Sequence, residues 1–470
     1  MSDSSQILKL VLEKINPKES ERKKSNYMFL EIQSFIREKF SIQADLMGSL
    51  AKDTFLAGDK DLDIFIFFGQ NVARETLERK GLEIGKAVFQ KFKSKNYQIS
   101  YAEHPYTKGV INSFRIEIVP AYEVERAELL QSAVDRTPFH KAFVNEHLKN
   151  TDAVRLLKKF LKANGCYGSD LKTGGFSGYL CELLAIKYGS FENILAASQY
   201  WHYQEVLDVN DHFQTQDEKL AGKRHDFSKH EYARLRKKFE NQPLIFLDPT
   251  DKNRNVAAVL SHKKIAAFVF KARKFLKSPS ISYFFKPEEK INTKKFALHQ
   301  KEKGTDLVIV IFKKPLAIDD ILYPQLRKFS SGMAKTMTSE GFDIVDVWEF
   351  ADVECGIAVE LLSKNLPKYL SVRGPSVFNP AEHQDRFVSK YKKVWLEGTF
   401  LTAETAREHI DAIGFFQKHL KNSAKKLHDA GVPSTIAESV SKGFKVFEFK
   451  KAGKIKSREF WRGLQKDLLR

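Results

Sequence analysis

Apolar residues recur at helical spacing over 5–16, with Ile7, Leu8, Val11, Leu12 and Ile15, and again over about 17–40, with a break at Asn16-Pro17. Tyr27, Leu30, Ile32, Phe35 and Ile36 of the second helix are expected to face a sheet. The pattern then turns strand-like near 42–47 and 64–68, returns to helix over about 73–93, and predicts strands at about 97–102 and 110–119. A small mixed sheet with helices on one side follows. Residues 137–200 read as mostly helical, with Val154, Leu157, Phe160 and Leu161 facing inward. An amphipathic helix at 261–276 ends at Pro279. The β-α-β-β order of 307–312, 321–337, 342–349 and 354–361 predicts a ferredoxin-like or RRM-like layer, without the aromatic signature that reads single-stranded RNA. After a turn-rich junction at 371–380, segments 381–392 and 403–427 predict a charged helical tail, and 444–449 a last strand.

The fold class expected is therefore α+β and multidomain: a head over 1–140, a helical neck over 141–270, an RRM-like body over 271–365 and 431–470, and a helical tail over 366–430. A chain of 470 residues is long enough for two to four domains. Its formal net charge of +19 favours a polyanionic partner, though it does not say which. No amino-terminal signal-like run and no apolar stretch of about 18 residues occurs, so no membrane association and a cytoplasmic location are expected. Cys166, Cys181 and Cys355 have no metal-binding spacing, and His202, His212, His225 and His230 are too scattered to read as a metal site.

The chemistry concentrates in GSLAKDTFLAGDKDLDIFIFF at 48–68. Asp61 and Asp63, two apart before a strand, point to one side while Leu62 and Ile64 point to the other. Two fixed carboxylates suit Mg²⁺, which keeps waters and substrate phosphates as its remaining ligands. Acids before a strand are equally at home as solvated turn formers. A Gly-Ser pair upstream offers backbone N–H groups and the Ser49 hydroxyl to a phosphate. In FRIEIVP at 114–120, Glu117 shares a face with Arg115 and supplies a third carboxylate. Thr137-Pro138 looks like a helix start, which puts His140 in a first turn that favours anions. Neither G-x-x-x-x-G-K-[ST] nor G-x-G-x-x-G occurs, so neither an ATPase-type nor a dinucleotide-type phosphate loop is expected.

The Gly-Ser pair, the D-x-D and the later strand carboxylate resemble the nucleotidyltransferase superfamily that includes DNA polymerase beta. The closer resemblance is to the archaeal-type (class I) CCA-adding enzymes, the tRNA nucleotidyltransferases. It is carried in family order by 48–68, YAEHPYTKG at 101–109, IEIVPAY at 116–122, RTPFH at 136–140, RLLKKFLKANGCYGSDLKTGGFSGYLCELL at 155–184 and DPTDKNRNVAAVLS at 248–261. The resemblance implies addition of C, C and A to the tRNA 3′ end from CTP and ATP, with release of pyrophosphate. It implies a two-metal Mg²⁺ site at Asp61, Asp63 and Glu117. Nucleotide contacts would come from Ser49, Lys52, His140, Lys159, Tyr167 and Arg254, the last on a turn at a helix start near the incoming base. Tyr101 and His104 would lie near the nucleotide or RNA end. A tRNA partner, with the tail on its elbow, and a homodimer are also implied; no protein partner is evident.

Two departures stand out. Lys52 occupies a position where the family pattern has arginine, and lysine cannot form a bidentate clamp. Glu117 replaces a shorter Asp. The polar stretch 204–240 reads as an insertion, either a solvated loop with a short helix or a basic excursion toward RNA. Residues 451–470 hold seven Lys or Arg against two acids and form a candidate phosphate-contact patch. Two other functions fit the same residues: a poly(A)-polymerase-like enzyme, or a noncatalytic tRNA-binding scaffold.

Overall fold

The computed structural model describes residues 3–94, 96–101, 103–210, 212, 228–286 and 292–468. The chain mixes helix and strand and divides into two units, Met1–Pro287 and Glu288–Arg470.

In the first unit, helices α1 (Asp3–Ile15) and α2 (Glu19–Phe40) lead to β1 (Ala44–Met47), the short helix α3 (Gly48–Ala51) and β2 (Asp61–Phe68). Helix α4 (Arg74–Lys91) follows, then β3 (Tyr97–Tyr101), β4 (Pro105–Ile111) and β5 (Phe114–Tyr122). The five strands form one sheet in the order β1-β2-β5-β4-β3, antiparallel except for the central β2–β5 pair. Helix α2 buries Met28, Phe29, Ile32 and Ile36 against this sheet, whereas Tyr27 and Leu30 are exposed. The i, i+4 row through 28, 32 and 36 sets the buried stripe, and Tyr27 and Leu30 fall outside it. The single strand expected over 110–119 is two strands. Asn112 and Ser113, both at positive φ, make the two-residue hairpin loop between them. The Gly-Ser pair expected as a turn opens α3.

Helices α5 (Thr137–His147), α6 (Thr151–Ala163), α7 (Gly178–Tyr188) and α8 (Phe191–Ser198) build a second core around Leu157, Phe160, Phe176, Leu184 and Phe268. A small sheet of β6 (Glu205–Leu207), β7 (Leu244–Asp248) and β8 (Asp251–Asn255) lies in the same unit. Part of the expected insertion is structured: the helix Ser228–Lys238 packs Leu235 with Phe239, Ile245 and Leu247. Its centre, His225 included, lies outside the described residues.

In the second unit, β9 (Asp306–Phe312), β10 (Ile344–Ala351), β11 (Cys355–Leu361) and β15 (Phe444–Glu448) form an antiparallel sheet in the order β10-β11-β9-β15. The helix Asp319–Ser339 connects β9 to β10, as in a split βαβ arrangement. The segment expected as a helical tail contains a second sheet, β12 (Tyr369–Ser376), β13 (Val394–Glu397) and β14 (Phe400–Ala406), in the order β12-β14-β13. Its charge hid an extended pattern. The Gly398-Thr399 turn, with Gly398 at φ +60°, pairs Glu397 with Phe400 and starts β14 where helix was expected to begin three residues later. Cys166, Cys181 and Cys355 are all buried. Among the described residues no helix is long and apolar enough to cross a membrane.

Candidate active site

Pairing between β2 and β5 fixes the centre. The parallel register sets Asp61 opposite Arg115 and Asp63 opposite Glu117, so all four side chains emerge on one face. Leu62, Ile64, Ile116 and Ile118 are driven into the core behind them, which locks the register. On its other side β2 pairs with β1, where Asp63 meets Met47, immediately before Gly48. Gly48 has φ +67°, and a Cβ built on it would lie 1.8 Å from Asp63 Oδ2. Glycine is required there both for the backbone and for the room the carboxylate takes.

Burial, then repulsion from Asp61, raises the Asp63 carboxyl above its ordinary range; Lys52 and Lys158 oppose the shift. Burial and Asp63 likewise raise Glu117, against Lys108. Asp61 is engaged by Arg115 through two bonds, one Nη2–Oδ2 at 2.7 Å and one from Nε. Among the described residues, the three carboxylates are not gathered within 4.8 Å of one another. The donor set still fits a hard cation: all oxygen, two acids with raised pKa, and a guanidinium standing where positive charge is needed.

Lys52 points to a buried partner that sequence reasoning missed. Its ammonium bonds Glu182 of α7, whose other oxygen accepts from Thr54 Oγ1 at 2.6 Å. Lys158 donates to the Thr54 carbonyl at 3.0 Å and lies 3.7 Å from Glu182. Burial raises the Glu182 carboxyl, but Lys52 and Lys158 outweigh it and the net shift is downward. Burial lowers the Lys158 pKa, and the charge of Glu182 opposes that shift. Lys158 was legible in principle. It sits four after Val154 and three before Leu161, in the apolar stripe of α6, and Glu182 is the lone acid of an apolar helix.

The first turn of α7 joins the remaining residues. Ser177 caps it, accepting from Leu180 N–H at 3.0 Å. A Cβ on Gly178 would meet Tyr167 Oη at 3.3 Å and Lys158 Nζ at 3.7 Å. Tyr167 is largely buried, which pushes its phenol up. Lys162 lies over the Tyr167 ring at 5.3 Å and pairs with Asp59 at 3.1 Å, while Lys159 rests 4.3 Å over Phe285. Tyr179 stacks on His140 with centroids 4.0 Å apart and lies 5.7 Å from the Lys52 ammonium.

His140 Nε2 is 2.9 Å from Asp248 Oδ2, which also accepts from Arg254 Nη1 at 2.6 Å. Burial lowers the His140 pKa, although the hydrogen bond to Asp248 and that carboxylate's charge oppose the shift. Burial alone would raise Asp248; the His140 bond and charge, then Thr250 and Arg254, bring it below the carboxylate range. Arg254 lies on β8, not on a turn at a helix start, because Asp248 and Asp251 pair across the β7–β8 turn and extend the chain.

Tyr101 and His104 lie elsewhere. Asp63 is level with Glu117, Lys108 and Gln98, whereas Tyr101 is three rungs further along the outermost strand. His104 is buried, with Nδ1 3.4 Å from Glu78 and its ring edge-on to Tyr122. The structure does not bring these two to the carboxylates. Ser49 sits in α3, directly after Gly48.

Three family models match the chain: a nucleotidyltransferase domain over 30–140, the second domain of tRNA nucleotidyltransferase over 152–285, and the C-terminal domain of CCA-adding enzyme over 303–448. The CCA-adding enzyme of Methanosarcina acetivorans is 35% identical over 466 residues, 96% of this chain and 95% of that protein. That of Methanocaldococcus jannaschii is 38% identical over 421 residues, 88% and 90% respectively. That of Pyrococcus abyssi is 37% identical over 425 residues, 89% of each. Among solved structures, a Cid1 poly(U) polymerase covers 61% of this chain at 14% identity and a TM-score of 0.43, too slight a likeness to carry function.

Proposed function

The chain belongs to the CCA-adding enzymes, and we propose that it adds and repairs the 3′-terminal CCA of tRNA, using CTP and ATP and releasing pyrophosphate. The observation that carries the chemistry is the Asp63–Glu117 rung, with Asp61 on the same face. Asp61, Asp63 and Glu117 would hold Mg²⁺ as a pair of ions. The cations would lower the pKa of the attacking 3′-hydroxyl and offset charge on the leaving pyrophosphate.

The chain's own residues supply the rest. Gly48 leaves the space that Asp63 occupies. Lys52 and Lys158, tied to Glu182, set a fixed positive field toward the triphosphate, without side-chain reorganisation when it arrives. Lys159 and Tyr167, with Ser49 near the carboxylates, would bind its oxygens. The pair His140–Arg254, both held by Asp248, would face the nucleotide, with the remaining N–H groups of Arg254 as donors for its edge. Tyr101 and His104, remote from that face, fit contact with RNA better than contact with nucleotide. The four-part organisation of head, neck, RRM-like body and tail, and the pairing of two copies, belong to the same reading.

The test uses full-length protein, Mg²⁺ and tRNA transcripts ending before, within and after CCA, with labelled CTP and ATP given singly and together. Addition of C, C, then A with arrest there is the expected result, and Asp61→Ala should abolish it while tRNA binding persists. A long A tract would identify a poly(A) polymerase instead. Tight tRNA binding without transfer would identify a scaffold. Sedimentation of the same protein tests the homodimer.

A further inference from the structure

We propose that Glu340, His409 and His419, in the second unit, form a Zn²⁺ site that has no part in nucleotidyl transfer. Among the described residues they are the one His, Cys, Asp or Glu group whose ligand atoms all lie within 4.8 Å of one another. His419 Nε2 is 3.4 Å from Glu340 Oε1, and His409 Nε2 is 3.8 Å from Glu340 Oε2. A tetrahedral zinc with bonds of about 2.0–2.1 Å places its ligand atoms roughly 3.3 Å apart, so little movement closes the set.

The proton arrangement points the same way. His419 Nδ1 is 3.0 Å from the Phe415 carbonyl, a bond that puts the proton on Nδ1 and leaves the Nε2 lone pair facing the Glu340 carboxylate. An acceptor facing an acceptor needs either a proton or a metal ion between them, and the titration below separates the two. The His409 side chain is only 4% exposed, and its Nε2 is buried with no hydrogen-bond partner. A nitrogen in that position costs stability unless something bonds it.

The scaffold holds the three donors from separate elements. Glu340 ends the helix Asp319–Ser339, where Arg407 donates to its carbonyl and Gly341 follows at φ +99°. His409 lies between β14 and the helix Ala412–Leu420, and His419 belongs to that helix, whose start is capped by Asp411. Phe415 stacks on His419 at 4.1 Å and meets His409 edge-on at 5.7 Å, an apolar wall for the site. Two imidazoles and one carboxylate favour zinc over magnesium. The Glu340 and His419 side chains, 29% and 28% exposed, leave a way in and a fourth position for water. Bound there, the ion would clip the end of the long helix to the segment that follows the small sheet.

The experiment is a Zn²⁺ titration of chelator-stripped full-length protein in excess Mg²⁺, which keeps the carboxylates of the other unit occupied. One equivalent should bind with Kd below about 1 µM, and zinc should raise the unfolding midpoint by about 5 °C. His419→Gln and Glu340→Gln, at partly exposed positions, should each weaken uptake about 100-fold or more and remove the thermal shift, while transfer to tRNA continues. His409→Gln should do the same if it folds. Absent uptake, or equal uptake by wild type and variants, overturns the proposal. So does a midpoint that responds to pH near the imidazole range but not to zinc, which would mean a carboxylate–imidazolium pair.

Discussion

Asp63 occupies the space that a side chain on Gly48 would need: its Oδ2 lies 1.8 Å from where that Cβ would be. The residue at φ +67° and the carboxylate it admits are one constraint, set when β1 and β2 pair at Met47 and Asp63.

Gly48→Ala therefore strains the backbone and displaces Asp63 together. Misplacement of a reacting group by about 1 Å costs about 100-fold in rate. The expected result is a fall in kcat of that size for both C and A addition, with tRNA affinity unchanged. Single-turnover kinetics and a filter-binding titration separate the two, and wild-type kcat in the variant would mean that Asp63 is not positioned by this contact.

The raised carboxyls give a pH prediction with a definite sign. The folded-state pKa of Asp63 and of Glu117 lies above the ordinary value, by burial first and neighbouring acids second. Stability from such groups is full below their unfolded pKa of about 4 and is lost as pH rises through the raised folded values. At neutral pH without metal, the charges are thus destabilising. Glu117→Gln should raise the unfolding midpoint of the metal-free protein at pH 7, leave it nearly unchanged at pH 4, and abolish transfer. Mg²⁺ should stabilise wild type more than the variant. Calorimetry at the two pH values checks this, and a lower midpoint at pH 7 would contradict it.

Glu182 behaves in the opposite sense. Its pKa is lowered against burial by Lys52 and Lys158, so its stability is present above the unfolded carboxyl pKa and lost as pH falls through the folded one. Removing it leaves the buried Lys52 and Lys158 without their shared counter-charge. Glu182→Gln should cost about 3–5 kcal/mol in urea unfolding at pH 7, and less in acid. A loss below about 1 kcal/mol, the range of surface pairs, would show that the network is solvated.

Legibility in the sequence followed the range of the interaction. The D-x-D and FRIEIVP strands announce themselves because period-two alternation puts acids on one face and isoleucines on the other. Their neighbourhood was readable; their register, and hence the Arg115–Asp61 contact, was not. Asp248, in DPTDKN, holds His140 from more than 100 positions away in the chain, a contact that no local pattern announces. The tail misled for a local reason: mixed charge with few apolar residues fits a helix or an exposed sheet, and one Gly398 turn decided between them. The Tyr101 and His104 positions depended on how the β3–β4 hairpin lies across the sheet, which pairwise register alone determines.

The Arg115–Asp61 pair sets the last prediction. Arg115 holds both oxygens of a carboxylate that the proposed mechanism assigns to metal. The guanidinium and Mg²⁺ then compete for one charge, and the cation must displace the arginine before transfer. The side chains are 64% and 42% exposed, so the pair is a screened one and holds its partner by no more than about 1 kcal/mol. Arg115→Ala should accordingly lower the Mg²⁺ concentration for half-maximal activity roughly two- to fivefold, with Arg115→Lys between the two. The measurement is initial rate against Mg²⁺ at fixed ionic strength. A rise in the Mg²⁺ requirement would reverse the assignment: Arg115 would be orienting Asp61 for the ion and not competing with it.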